Sequence, residues 1–155
     1  MKKNEINLGF GIYGFEDIDH SYITNLLGLQ PDYVRTKGEK KNPRNSDSPL
    51  IEVNKWMITS GIDPHLDFDQ HLNALLDILE PRIDVLRPIC ERYDCEISCG
   101  MFVYFDNGES TPWVHLDDRY NKMTAQLKIE FDLDLYVMPI SNPPRRTGTA
   151  PGHFP

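Results

Sequence analysis

Residues 129–138 alternate regularly between apolar and polar side chains. Ile, Phe, Leu, Leu and Val fall on one side of this segment, and Glu, Asp, Asp, Tyr and Met fall on the other. A period of two is typical of a strand with one buried side and one side in solvent. Because the acids and the tyrosine point away from the apolar side, we expect the sheet that holds this strand to leave one face free of helices.

The charge of the chain is unevenly distributed. The 155 residues carry a net charge of −8, yet residues 61–138 contain 16 acids and 6 bases while residues 33–55 contain 6 bases and 3 acids. An acidic body argues against nucleic acid and anionic membranes as partners and favours a basic protein. A chain of this length is expected to form one domain, over residues 1–138, without disulfide or metal staples.

Cysteine usage and hydropathy bear on the compartment. No apolar run approaches the roughly 20 residues that span a bilayer, and the start of the chain lacks a signal-type apolar stretch. Three cysteines, an odd number, indicate free thiols in a reducing compartment, so the sequence predicts a cytoplasmic protein. Cys95 and Cys99 fall in the apolar register of a strand and are interpreted as small core residues. We expect no cofactor to be bound by them.

Alternation predicts three further strands, over residues 5–14, 53–60 and 95–106. Residues 30–52 form a long polar loop between the first two, and a connection of that length is expected to be disordered or a mobile flap. Residues 139–155 contain five of the twelve prolines and are expected to form a disordered tail.

Helix signals lie between these strands. Asp19 is a candidate N-cap and Gly28 a stop, which predicts a first helix. Asp67 followed by Gln70 has the form of a capping box, and the helix that it begins ends at Pro81, which can start a further one. A last helix is expected to begin at Leu116.

The resulting order is β-α-β-(αα)-β-α-β. It suits two parallel crossover units in one mixed sheet, with all helices on a single face. The predicted fold class is therefore α+β, a ferredoxin-like two-layer sandwich.

Several segments together resemble a known bacterial family. They are residues 23–31, Lys37-Gly38, Trp56, the leucine-rich segment that ends at Pro81, and residues 133–137. This combination is similar to the family named domain of unknown function 4279, and the resemblance covers about residues 5–138. It implies a compact bacterial protein and supports the fold, but it brings no catalytic residue with it.

The polar registers of three strands combine into one candidate surface. Acids and aromatic side chains alternate there, and such mixtures are typical of recognition surfaces, although a merely solvated sheet face has the same pattern. The candidate partner-binding residues are Tyr13, Glu96, Phe102, Tyr104, Glu130, Asp132, Asp134 and Tyr136.

The long loop carries a cluster of bases. These side chains either solvate the loop or bind phosphate, an acidic partner or the chain's own acidic face. The candidate ligand-loop residues are Arg35, Lys37, Lys40, Lys41 and Arg44.

A second set of residues could in principle hold a metal ion. Asp63, His65, Asp67 and His71 are closely spaced, but acids also gather at helix starts because free N–H groups and the helix dipole favour them. His115, near Asp117, could do acid–base work if a substrate lay within reach. Nothing in the spacing marks a nucleophile or a phosphate loop, so whether the chain is an enzyme stays open.

These observations favour a non-enzymatic module that binds a basic protein through its acidic sheet face. An immunity or neutralising protein directed against a basic toxin or effector is one form of it. The alternative is a small-ligand or metal-binding sensor, or an enzyme, with a site near His65, His71 and His115. The chain is expected to be a monomer, or a homodimer that pairs through an exposed edge strand.

Overall fold

The computed structural model describes residues 1–140, which form five strands and four α-helices. The strands are β1 (Glu5–Tyr13), β2 (Tyr33–Arg35), β3 (Lys55–Thr59), β4 (Asp94–Phe105) and β5 (Glu130–Pro139). The helices are α1 (His20–Leu27), α2 (Phe68–Leu79), α3 (Ile83–Arg92) and α4 (Asp118–Thr124), and a 3-10 turn at Glu80–Arg82 joins α2 to α3.

The strands form one mixed, open sheet in the order β2-β3-β1-β4-β5. All neighbours are antiparallel except β4 and β5, which run parallel. Parallel neighbours need a crossover connection, and the loop after β4 together with α4 supplies it. The predicted α+β class and mixed sheet are confirmed.

One register of the central strands builds the core. The residues Leu8, Phe10 and Ile12 of β1 and Trp56 of β3 are at most 1% exposed and join the buried sides of the helices in a single cluster. On α2 the buried leucines recur at helical spacing, which turns an apolar stripe towards the sheet. The opposite register of each strand therefore faces away from this core.

Local capping signals set the helix boundaries as predicted. The Asp19 carboxylate accepts the Tyr22 N–H at 2.7 Å, and Gly28 ends α1 in the left-handed conformation at φ 63°. Asp67 and Gln70 form the predicted capping box at the start of α2. These signals depend on neighbouring residues alone, which is why the sequence reveals them.

The predicted parallel unit of residues 5–14 and 53–60 is wrong. β1 pairs antiparallel with β3, with Phe10 opposite Ile58. The strand that runs parallel to β1 is β2, which the sequence analysis missed inside the segment 30–52 and which lies beyond β3. A strand of three exposed residues has too little periodicity to be recognised.

The prediction that β5 has a buried apolar side holds only at its start. Phe131 packs edge-on against Phe68 of α2 and Tyr120 of α4, with ring centroids 6.2 and 6.0 Å apart. Leu135 and Val137 are 59% and 60% exposed. β5 is an edge strand, and the helix layer reaches only as far as Phe131.

Cys90, Cys95 and Cys99 are buried and form no disulfide. Burial raises the pKa of the Cys99 thiol to about 11. Within residues 1–140 no helix has the length and apolar character needed to cross a membrane. The predicted disordered tail lies, from residue 141 onwards, outside the described residues.

Candidate functional site

The outward register of the five strands forms a continuous surface, here called the open face. The residue pairs run across the sheet from β3 to β5: Gly11 lies opposite both Met57 and Glu96, and Glu96 lies opposite Glu130. Its members are Tyr33, Arg35, Lys55, Met57, Thr59, Glu5, Asn7, Gly9, Gly11, Tyr13, Glu96, Ser98, Gly100, Phe102, Glu130, Asp132, Asp134 and Tyr136.

The β4–β5 half of the open face is acidic. Glu130, Asp132 and Asp134 alternate along β5 and are exposed, and Glu96 lies beside them on β4. The pKa of Glu96 is raised above its ordinary value. The largest cause is partial burial, and the next are the neighbouring carboxylates of Asp132 and Glu130. The side chains of one sheet face are therefore close enough to repel each other.

Gly11 lies at the centre of the open face, where a larger residue would collide with the Tyr13 side chain. A Cβ at Gly11 would lie 2.6 Å from Cζ of Tyr13, so the tyrosine ring lies across a position that only glycine leaves free. The Tyr13 hydroxyl donates to the Met57 sulfur at 3.5 Å, and Nζ of Lys55 lies 5.3 Å from the ring centre. Burial and then Glu96 raise the pKa of Tyr13 to about 12. Tyr13 is therefore neutral at physiological pH.

A stacked aromatic pair lies at the far end of the acidic half. The rings of Phe102 and Tyr136 are 4.8 Å apart and tilted by 12°, and Tyr136 is 47% exposed. Such rings supply contact area at low cost in side-chain entropy. Aromatic residues are enriched at protein interfaces, and the carboxylates beside them give this half a negative charge.

The prediction that Tyr104 belongs to this exposed surface is wrong. Tyr104 is 8% exposed because the N-terminal segment crosses it. The Asn4 side chain accepts the Tyr104 backbone N–H at 2.9 Å, and Nζ of Lys2 lies 5.1 Å from the Tyr104 ring centre. A contact across about a hundred residues leaves no signal in the local alternation.

The opposite half of the open face is basic. Arg35 of β2 lies opposite Lys55 of β3, and its guanidinium lies 5.6 Å from the Tyr33 ring centre. Arg35, Lys41 and Lys55, together with one acid, Glu52, line one surface cavity of about 240 Å³. The open face is consequently polarised along the strand order, from basic at β2 to acidic at β5.

The remaining bases of the predicted ligand loop do not converge on that cavity. Lys37 forms an ion pair with Glu16. The backbone of Lys40 forms an isolated antiparallel β-bridge with that of Leu50. Arg44 donates its backbone N–H to the Asn42 side chain at 3.1 Å. Of the five loop residues, the structure therefore brings Arg35 and Lys41 together.

The candidate metal ligands have other partners in the fold. His71 is 2% exposed, and its Nδ1 shares a hydrogen bond of 2.6 Å with the Ser60 hydroxyl. His65 Nδ1 contacts the Asn4 carbonyl at 3.0 Å, Asp63 accepts the His65 N–H, and Asp67 caps α2. Among residues 1–140 no group of three His, Cys, Asp or Glu is arranged to hold a metal ion.

The segment before α4 has a structural role in the fold. Asp117 caps α4 by accepting the Tyr120 N–H at 2.9 Å. The His115 ring lies 6.0 Å from the Trp113 ring, and Trp113 is 60% exposed. The carboxylate that the sequence analysis paired with His115 is thus engaged at the start of the helix.

The comparison with protein families decides what the chain is related to. The family model described as "Domain of unknown function (DUF4279)" matches residues 4–138. The chain belongs to this family. The match covers all five strands except the last residue of β5, Pro139, and confirms the resemblance seen in the sequence. No curated protein and no solved structure matches the chain.

Sequence reasoning missed the basic half of the open face. Lys55 and Thr59 carried the signal, since they are half-buried and lie in the register opposite to that of the buried Trp56 and Ile58. Arg35 and Tyr33 could not be placed on the sheet because β2 was not recognised. The prediction consequently described one acidic surface where the structure has two halves of opposite charge.

Proposed function

We propose that this DUF4279 domain is a non-enzymatic module that binds a basic protein through the acidic half of its open face. The observation that supports the proposal most is the crowding of Glu96, Glu130, Asp132 and Asp134 on two neighbouring strands. Partial burial is the largest cause of the raised pKa of Glu96, and the neighbouring carboxylates raise it further. The ion pairs found within residues 1–140 include none of these four carboxylates. A cationic partner would relieve their mutual repulsion.

The aromatic residues give such an interface its contact area. Tyr136 is exposed and held flat against Phe102, so it loses little freedom when a partner covers it. The carboxylates around it would attract a basic partner over a distance and orient it. The basic half, with Arg35 and Lys55, would repel the same partner and so fix the direction of docking.

An immunity or neutralising protein is the specific role that we propose for this module. Toxins that act on nucleic acids or anionic membranes are basic for electrostatic reasons, and an acidic open sheet is complementary to them. Three cysteines without a disulfide support a location in a reducing compartment such as the cytoplasm, which is where a neutralising protein would meet its target.

We also propose a ferredoxin-like core for the fold. The succession β1-α1-β2-β3-α2/α3-β4 supports this assignment because it follows the β-α-β-β-α-β order of that motif. On this interpretation α4 and β5 are an extension, and the extension carries three of the four crowded carboxylates.

Charge reversal tests the proposed surface. The partner is first captured from the native host, identified by mass spectrometry and purified. The variant Asp132→Lys/Asp134→Lys should then bind it at least about tenfold more weakly, since close charge pairs across an interface are worth more than about 1.4 kcal/mol. Association of the unmodified chain should slow as ionic strength rises.

A matched variant separates the surface from the net charge. Asp84→Lys/Glu91→Lys makes the same change in charge on α3, which packs on the other side of the sheet. This control should bind almost as the original chain does. If both double variants weaken binding equally, or if association does not depend on ionic strength, the acidic half of the open face is not the interface.

A further inference from the structure

A cavity of about 330 Å³ lies at the end of the sheet, away from the centre of the open face. Its walls are the turn at residues 65–67 and the segment 109–113, and the buried side chain of Ile6 contributes to its lining. Its volume falls in the range of small-molecule sites. It joins His65 and Asp67, two of the candidate metal ligands, to Trp113 on a distant part of the chain.

The walls of this cavity are held in place by Asn4. The Asn4 N–H donates to Oε2 of Glu109 at 2.7 Å, and the Asn4 carbonyl contacts Nδ1 of His65 at 3.0 Å. Asn107, which is 9% exposed, donates to the side chains of Asn4 at 3.0 Å and Glu109 at 3.3 Å. One residue thus positions both walls, so the cavity is organised before any ligand enters.

The charges around the cavity determine the ligand class. Glu109 is held by the two donors just described, and the Asp67 backbone N–H donates to the Gln70 side chain at 3.1 Å at the start of α2, so two residues that carry carboxylates line the cavity. Within residues 1–140 no Lys or Arg lines it. An anionic ligand would therefore meet like charge, whereas a cation would meet two compensating charges.

Trp113 distinguishes an organic cation from a metal ion. Its indole is 60% exposed at the edge of the cavity, and a tryptophan face attracts ammonium groups that carry an apolar body. A bare divalent ion would need a cluster of ligands, and residues 1–140 offer no such group of His, Cys, Asp or Glu. We infer that this cavity binds a small organic cation, with its ammonium group between Trp113 and the carboxylates of Asp67 and Glu109.

Choline and its neutral isostere 3,3-dimethyl-1-butanol test the inference, since they share a shape and differ in charge. Calorimetric titration should show saturable binding of choline and about tenfold weaker binding of the alcohol, as expected for a partly desolvated cation–π contact. The chain has two tryptophans, and Trp56 is buried, so choline should change the emission of Trp113.

Two variants locate the site. Trp113→Leu should abolish choline binding, and Glu109→Gln should weaken it several-fold, while Glu91→Gln on α3 provides a control at a distant exposed acid. Trp113 is largely exposed, and unchanged emission from Trp56 would verify that its replacement leaves the core intact.

Three results would overturn the inference. The first is that choline, tetramethylammonium and butylamine all fail to bind in the millimolar range. The second is equal affinity for choline and the neutral alcohol, which would indicate a site for neutral hydroxyl compounds. The third is undiminished binding of choline by Trp113→Leu. None of these results bears on the protein partner, because the proposed interface residues do not line this cavity.

Discussion

The indole N–H of Trp56 donates to the hydroxyl of Thr24 at 3.0 Å, which joins the centre of β3 to helix α1. Trp56 is fully buried, so its one polar group has to find a partner inside the protein. Thr24 is the residue of α1 that provides it, and the same helix buries Ile23 and Leu27 on either side.

Replacing Thr24 by Val should therefore cost about 1–3 kcal/mol of unfolding free energy, since it leaves a buried donor unsatisfied. Trp56→Phe/Thr24→Val removes donor and acceptor together, so the coupling between the two changes isolates the hydrogen bond from the loss of packing. Urea denaturation of the four proteins provides the measurement. Strictly additive costs would show that the bond contributes nothing.

Because His71 is buried, we expect the stability of the fold to depend on pH. Burial lowers the pKa of His71 below its ordinary value of 6.5, so the unfolded chain binds more protons than the folded one as the pH falls below 6.5. Stability should therefore decrease below pH 6.5 and level off once the pH lies below the folded-state pKa. Thermal melts of the original chain and of Ser60→Ala/His71→Leu should diverge in this window, with the smaller decrease in the double variant.

The hydrogen bond between Ser60 and His71 should make the stability costs of single and double substitutions non-additive. Ser60→Ala alone leaves both ring nitrogens of His71 without a partner among the described residues and should cost about 1–3 kcal/mol. Removing both polar groups should cost less than the sum of the two single changes. An additive result in urea would argue against the hydrogen bond.

Glu96 should make stability depend on pH in the opposite direction. Its raised pKa means that the folded state holds its proton more tightly than the unfolded state, so ionised Glu96 destabilises the fold at neutral pH. Glu96→Gln should raise the melting temperature at pH 7, and the gain should disappear below the ordinary glutamate pKa of 4.5, where both states are protonated. A gain that is equal at pH 7 and pH 4 would contradict this account.

Two leucines test the position of the helix layer. Leu75 of α2 is fully buried, whereas Leu135 of β5 is 59% exposed. Leu75→Ala should cost about 2–5 kcal/mol, while Leu135→Ala should change stability by less than about 0.5 kcal/mol. Equal costs in chemical denaturation would mean that the apolar side of β5 is covered.

The sequence allows prediction of features that depend on near neighbours. Asp19, Gly28 and the Asp67–Gln70 box mark helix ends because each acts through backbone groups within a few residues. The α+β class follows from the order of periodic segments. Leu135 shows the limit, because a strand at the edge of a sheet can alternate as regularly as one beneath a helix.

The site is less predictable than the fold. The acids of β5 were assigned to the correct register, since alternation alone determines it. The basic half depends on β2, whose three residues show no pattern, and the burial of Tyr104 depends on Asn4. The cavity beside Trp113 depends on Asn4 as well. Contacts between distant parts of the chain leave no trace in local spacing.

The attachment of β5 has a consequence for dynamics. Its backbone pairs with β4 along ten residues, while its side-chain anchorage to the helices is concentrated at Phe131 near its start. A strand anchored at one end can separate from its neighbour from the other end inwards, without unfolding of the core. Amide hydrogens of β5 should therefore exchange through local opening, fastest near Val137 and slowest near Phe131.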